Sequence, residues 1–290
     1  MWDVIVQQAA SGLATGAIYA CLALSVVMIF QAIDHFNFAQ GEMAMFSTFV
    51  GWQLIAWGFP FWIAFFLTIA LSFAAGVVIE RVIFKPIEKA PVLSHIIVFI
   101  ALFSAINSLA GFIWDYTIKV FPSPFPEGQA IGTMQAHEVG MIGVTLLMLA
   151  LIYVFFRYTP IGLAMRAAAA NPESARLVGI QVNWMTALGW GLAAAIGSVA
   201  GMLIAPVVFL DPNMMLGILL YGFAGAVVGG LTSPGGAVVG GFLVGVVENL
   251  ASLIPGIGSE LKLSVALVII VGVLVIKPSG LFGRTIVQRV

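Results

Sequence analysis

The stretch FPFWIAFFLTIALSFAAGVVI, residues 59–79, contains no charged residue. About 20 consecutive apolar residues suffice for a helix to cross a bilayer. A soluble protein could hide one such segment in its core, but working outward from it, comparable runs recur along almost the whole chain. The sequence predicts spans over residues 4–31, 37–57, 59–83, 92–114, 139–157, 185–208, 214–231, 236–254 and 261–277. The 290 residues are 62% hydrophobic and 8% charged, against about 25% charged in an ordinary soluble domain. Too little charge remains to cover a water-facing surface. The runs are long and continuous, whereas a membrane barrel would show alternating strands of about ten residues. The fold class is therefore all-α: a polytopic transmembrane bundle of about eight to nine spans. With no long polar stretch, residues 1–290 form a single membrane domain.

Basic residues orient the bundle, because short cytoplasmic loops are rich in Lys and Arg. Arg81, Lys85 and Lys89 form one cluster, Arg157, Arg166 and Arg176 a second, and Lys277, Arg284 and Arg289 a third. If the spans alternate, these fall on one side. Lys119 and Lys262 fall on the other, in loops that carry Asp115, Glu127, Glu138 and Glu260. The clustered side is expected to be cytoplasmic, with the C-terminus inside. Asp3, without a basic neighbour, places the N-terminus outside and gives nine spans. If 37–57 dips in and returns, the count is eight and the N-terminus is inside. The basic region of a cleavable signal peptide is missing.

Several chemistries find no support. Cys21 is alone, so no disulfide forms within the chain. His35, His95 and His137 lack ligand spacing, and His137-Glu138 lacks the second histidine of a zinc-protease motif, so no metal site is expected. No G-x-x-x-x-G-K-[ST] loop occurs, so the chain carries no P-loop for ATP. There is no plausible catalytic constellation, and an enzyme is not expected.

Glycines punctuate the spans at small-x-x-x-small spacing: Gly12/Gly16, Gly197/Gly201, Gly225/Gly229, Gly236/Gly240 and Gly241/Gly245. The string GAVVGG stands at 225–230 and again at 236–241, with a turn between. A tight helical hairpin follows, its glycine faces serving close packing or a pivot. Polar groups at membrane depth are the site candidates, because burying them in hydrocarbon is costly. They are Asn37, Gln40 and Glu42 in NFAQGE, Asn107 in the fourth segment, and Glu248 in the eighth. Glu42 and Glu248 read equally well as structural carboxylates or as path-lining ones. Gly41 offers a place for the backbone to bend. Glu80-Arg81, at the end of a span, reads as a snorkelling interfacial pair.

The segment 157–183 departs most from membrane composition. Residues 165–170 are alanine-rich and helical. Asn171 then suits an N-cap, Pro172 the first helical position, Glu173 the first turn and Gly179 the stop. A short helix over about 172–178 results, with Ala175, Leu177 and Val178 apolar and Glu173 and Arg176 charged. Two capped helical pieces suit a docking element for a cytoplasmic partner better than a plain loop.

The order NFAQGEMAMFSTFV, IERVIFKPIEK, GLAMRAAAANPESARLVGI, GFAGAVVGGLTSPGGAVVGGFLVGVVENL and KPSGLFGR resembles the H-type permeases of branched-chain amino-acid ABC importers, the LivH-like family. The resemblance runs in order along nearly the whole chain. It implies a type II-like ABC importer permease of a bacterial inner membrane, without an ATPase or cofactor of its own. ATP would be used on two partner ATP-binding subunits. A related second permease or a second copy, a periplasmic solute-binding protein and membrane lipid complete its partners, with no nucleic acid. The coupling loop would use Arg166, Asn171, Pro172, Glu173, Arg176, Leu177 and Gly179. The transported solute would be a branched-chain amino acid. The family often has His where this chain has Gln40; Gln keeps the hydrogen bond but does not titrate near neutral pH. The alternative is an ion-coupled secondary transporter or channel for a small polar solute, with Glu42 and Glu248 as ion sites.

Overall fold

The computed structural model describes residues 2–33, 35–132, 134–254 and 261–283. The expectations placed on Glu260, Arg284 and Arg289 lie outside these residues. The chain forms eleven helices among the described residues: α1 (Trp2–Ile33), α2 (Gln40–Ala56), α3 (Phe61–Ile79), α4 (Val92–Trp114), α5 (Ala136–Tyr158), α6 (Pro160–Ala170), α7 (Pro172–Leu177), α8 (Val182–Val208), α9 (Met215–Gly229), α10 (Pro234–Ala251) and α11 (Lys262–Ile276). A short antiparallel hairpin, β1 (Gln129–Ile131) with β2 (Met134–Gln135), precedes α5. Every predicted apolar segment contains one helix.

Among the described residues, six helical stretches are long and apolar enough to cross a membrane: those of α1, α4, α5, α8 and α10, together with Phe61–Ile87. α1 has 32 residues and measures about 48 Å, more than the hydrocarbon thickness of about 30 Å. Burial divides these helices. The apolar windows of α1 and α8 are 83% and 78% buried, whereas those of α4 and α5 are 22% and 11% buried. The outward-facing residues, such as Phe112, Leu147 and Leu151, are large and apolar. That surface is matched to hydrocarbon and mismatched to water.

The chain falls into two compact units: Met1–Val27 with Ser123–Gly143 and Leu216–Val290, and Met28–Pro122 with Val144–Met215. In the first, α10 lies with one glycine face on α9 and another on α1. A methyl group at Gly225 would stand 2.7 Å from Gly241 Cα, and one at Gly16 would stand 3.0 Å from Phe242 Cα. Gly229 likewise meets Gly236, and Gly245 meets Gly16. The glycine pairs are thus occupied by backbone-to-backbone packing. The α9–α10 turn closes at Gly230, whose φ of +108° is accessible to glycine, and Ser233 caps α10 by accepting the Gly236 amide at 3.1 Å.

In the second unit, α8 packs against α2 and α3. Gly197 and Gly201 face the first turns of α2, and Gly76 of α3 faces the Trp190 carbonyl. α3 continues through a π-helical turn, Glu80–Phe84, and a 3₁₀ turn, Lys85–Ile87. The π turn re-aims its side chains. Phe84 stacks on Phe99 at 4.5 Å between ring centroids and meets Trp190 at 4.5 Å. The same turn corrects one expectation. Glu80 is 5% exposed, with Arg81 Nε 3.6 Å from its carboxylate and the Arg81 guanidinium over the Trp184 ring. Glu80 is thus buried in the protein, while the Arg81 side chain stays 26% exposed, so only the carboxylate departs from the interfacial reading.

Candidate functional site

Three polar residues near the start of the second unit are buried: Asn37 and Gln40 are 0% exposed and Glu42 is 1% exposed. Each is held differently. Asn37 Oδ1 accepts the Ala39 amide at 2.9 Å, which shapes the turn that leads into α2. The backbone break precedes Gln40, and Gly41 is already helical. The bend expected at Gly41 therefore falls earlier, where Asn37 supplies the turn. Gln40 Nε2 donates to the Ala193 carbonyl of α8 at 2.9 Å. Gly197 leaves the space this amide occupies, since a methyl there would stand 2.9 Å from Nε2. Gln40 Oε1 is buried without a partner.

Glu42 Oε2 accepts from Asn107 Nδ2 at 3.3 Å. The ion pairs among the described residues are Arg81–Glu80 and Lys262–Glu248, so Glu42 has no cation. Asn107 also donates to the Pro212 carbonyl at 2.8 Å and stands 3.4 Å from Asn213 Oδ1, while Tyr116 Oη donates to Asn107 Oδ1 at 3.3 Å. One amide on α4 thus gathers α2, the segment after α4 and the segment after α8. Those two segments pair through Lys119 and Leu210, whose backbones exchange hydrogen bonds at 2.9 and 3.0 Å. A carboxylate matched only by an amide is a ready acceptor for a cationic group such as an ammonium.

Glu248 belongs to the first unit. Its Oε2 accepts the Tyr19 hydroxyl at 2.8 Å, and Lys262 Nζ is 3.6 Å from Oε1. Tyr19 stacks on Tyr221 with centroids 4.9 Å apart, and Asn249 donates to Thr15 at 2.9 Å. Sequence reasoning missed Tyr19, Tyr221 and Lys262 here, and Tyr116, Pro212 and Asn213 around Asn107. The available signal was Lys262 itself, a cation at the first residue of an otherwise apolar helix. The histidines are less scattered than their spacing suggests: His35 and His95 rings lie 4.9 Å apart.

The segment between α5 and α8 folds as an elbow. Thr159 caps α6 by accepting the Gly162 amide at 3.0 Å, and Asn171 caps α7 by accepting the Ser174 amide at 2.9 Å. Pro172 occupies the first position of α7 and Glu173 its first turn. α7 stops at Gly179, whose φ is +85°. Ala175 is not part of an apolar outer surface: it packs with Ala168 and Val182 in a small buried cluster. Leu177 is 89% exposed and Val178 76% exposed, while Arg166 and Arg176 also face outward. The cluster of small side chains fixes the elbow and leaves an apolar and basic tip outside.

Residues 8–274 match the family of the branched-chain amino acid transport system permease component. The chain belongs to that family. This permease is 32% identical to the high-affinity branched-chain amino acid transport system permease protein LivH of Escherichia coli (strain K12), covering 98% of this chain and 97% of that one. It is 28% identical to the corresponding permease BraD of Pseudomonas aeruginosa, over 98% and 97% of the two chains. It is also 28% identical to a probable LivH of Methanocaldococcus jannaschii, over 90% and 87%. Among solved structures, PsaBC from Streptococcus pneumoniae in complex with Fab superposes with a TM-score of 0.51 at 15% identity, covering 93% of this chain and 91% of that chain. That likeness is one of fold alone, a multi-pass helical bundle.

Proposed function

We propose that this permease subunit moves branched-chain amino acids inward across a bacterial inner membrane, in a complex powered by ATP on partner subunits. Two ATP-binding subunits, a second permease and an external solute-binding protein complete that complex. The C-terminus and the α6–α7 elbow lie on the cytoplasmic side, where the basic clusters at 81–89 and 157–176 belong by the positive-inside rule. The whole of 1–290 works as one permease domain, with 157–183 as its coupling segment.

The observation that carries this reading is the elbow. Two capped helices, one six residues long, hold exposed Leu177, Val178 and Arg176 on a buried alanine cluster. An isolated six-residue helix has too few hydrogen bonds to be stable, so the tip is worth fixing only if something docks on it. ATP-driven closure of the partner pair then moves the elbow as a lever, and the permease halves rock between inward- and outward-open states. Glu42 with Asn107 offers an acceptor for the ammonium of a passing amino acid, with Asn37 and Gln40 bracing that region. An ion-coupled mechanism would call on Glu248 as a second free carboxylate, but Lys262 already matches it.

Co-purification from the native host tests the assembly. ATP-binding subunits and a second permease should accompany this chain; isolation of the chain alone, fully active in uptake, would overturn the reading.

A further inference from the structure

A cavity of about 130 Å³ lies in the second unit between the end of α1, the α6–α7 elbow and the first turns of α8. Its floor is apolar, with Met28 and Met165 buried and a methyl at Gly189 standing 3.7 Å from Met165 Cε. Its rim carries charges of both signs: Glu88, Arg166 and Arg176. None of the three is in either ion pair formed among the described residues. An apolar cavity of about 150 Å³ accepts a molecule the size of benzene, so this one takes a side chain of about four carbons.

We propose that this cavity is a binding site for a free zwitterionic amino acid with an apolar side chain. The side chain would fill the floor beside Gly189, the ammonium would face Glu88, and the carboxylate would face Arg166 and Arg176. Unmatched charges of both signs around one apolar floor fit such a molecule and neither an anion nor a cation alone. A free phosphate would gain from the two arginines but meet the Glu88 carboxylate. Bound there, the amino acid ties the end of α1 and α8 to the elbow, so occupancy restrains the element through which ATP-driven motion enters. The side of the membrane and the regulatory consequence rest on the function proposed above; the binding does not. On that reading, accumulated product on the cytoplasmic side slows its own uptake.

The test is equilibrium binding of labelled leucine to the purified complex in nanodiscs, without solute-binding protein, alongside ATP-driven uptake by the same complex reconstituted into proteoliposomes with its solute-binding protein. Saturable binding is expected, and Gly189→Leu should abolish it by filling the floor. Glu88→Gln, an exposed change that leaves folding intact, should weaken it. Isoamylamine, which lacks the carboxylate, and isocaproate, which lacks the ammonium, should compete poorly. Leucine on the cytoplasmic side should slow uptake in the wild-type complex and not in Gly189→Leu. Absence of saturable binding, or binding unchanged by both substitutions, overturns the proposal even if uptake is normal. Absent uptake with binding intact instead overturns the proposed function.

Discussion

Lys262, at the start of α11, stands 3.6 Å from the carboxylate of Glu248 on α10. This pair supplies the counter-charge for a carboxylate that is 8% exposed in an apolar bundle. Lys262→Met should destabilise the permease by about 3–5 kcal/mol, because it strands a buried charge. Lys262→Met with Glu248→Gln should recover most of that loss, since the amide still accepts from Tyr19. Thermal unfolding in detergent across the four variants measures the coupling. Additive losses would mean the pair does not interact.

Glu42 calls for the opposite outcome. It has an amide partner and no cation, so Glu42→Gln strands no charge and should keep expression and thermal stability near the parent. Uptake should fall, because the acceptor for a positive group is gone. Asn107→Leu should fail differently: it orphans the buried Glu42 carboxylate and the buried Pro212 carbonyl, at about 1–3 kcal/mol for each buried polar group left unpaired. Expression level and uptake, measured together, separate the two.

The elbow should be separable from the fold. Arg176→Glu with Leu177→Asp alters only exposed side chains, so unfolding temperature should be unchanged while uptake and stimulated ATP hydrolysis collapse. Asn171→Ala should instead cost about 1 kcal/mol through the lost cap. Normal uptake by the double variant would show that the tip is not where the ATPase docks.

Glycine positions should fall into two groups. Gly240→Ala places a methyl against the Gly225 carbonyl and should cost about 1–3 kcal/mol by overpacking. Gly235 and Gly272 face open space, so alanine there should be neutral or slightly stabilising. A thermal-shift comparison of the three checks this.

What the sequence made legible follows from local rules. Long, mostly apolar runs located the helices because backbone groups in hydrocarbon must be satisfied within the helix. Asn171, Pro172 and Gly179 located α7 because caps act within a few residues. Pairing at a distance was not legible. Glu248 on α10 finds Lys262 on α11, and His35, between α1 and α2, meets His95 of α4, with no periodicity to announce either. Glu80 read as interfacial because nothing local foretold the π turn that buries it. The apolar surface assigned to Ala175, Leu177 and Val178 lost its first member because the elbow folds Ala175 onto Ala168 and Val182. Gly41 suggests a bend, yet Asn37 makes the turn and leaves Gly41 in the helix.

The central claim is that uptake through this permease is driven by ATP on partner subunits. Labelled leucine uptake into proteoliposomes tests it most directly. The complete complex with its solute-binding protein should accumulate leucine only with ATP, and should continue to do so after proton and sodium gradients are collapsed. Uptake by this chain alone, driven by an ion gradient with no ATP-binding subunit present, would contradict the account.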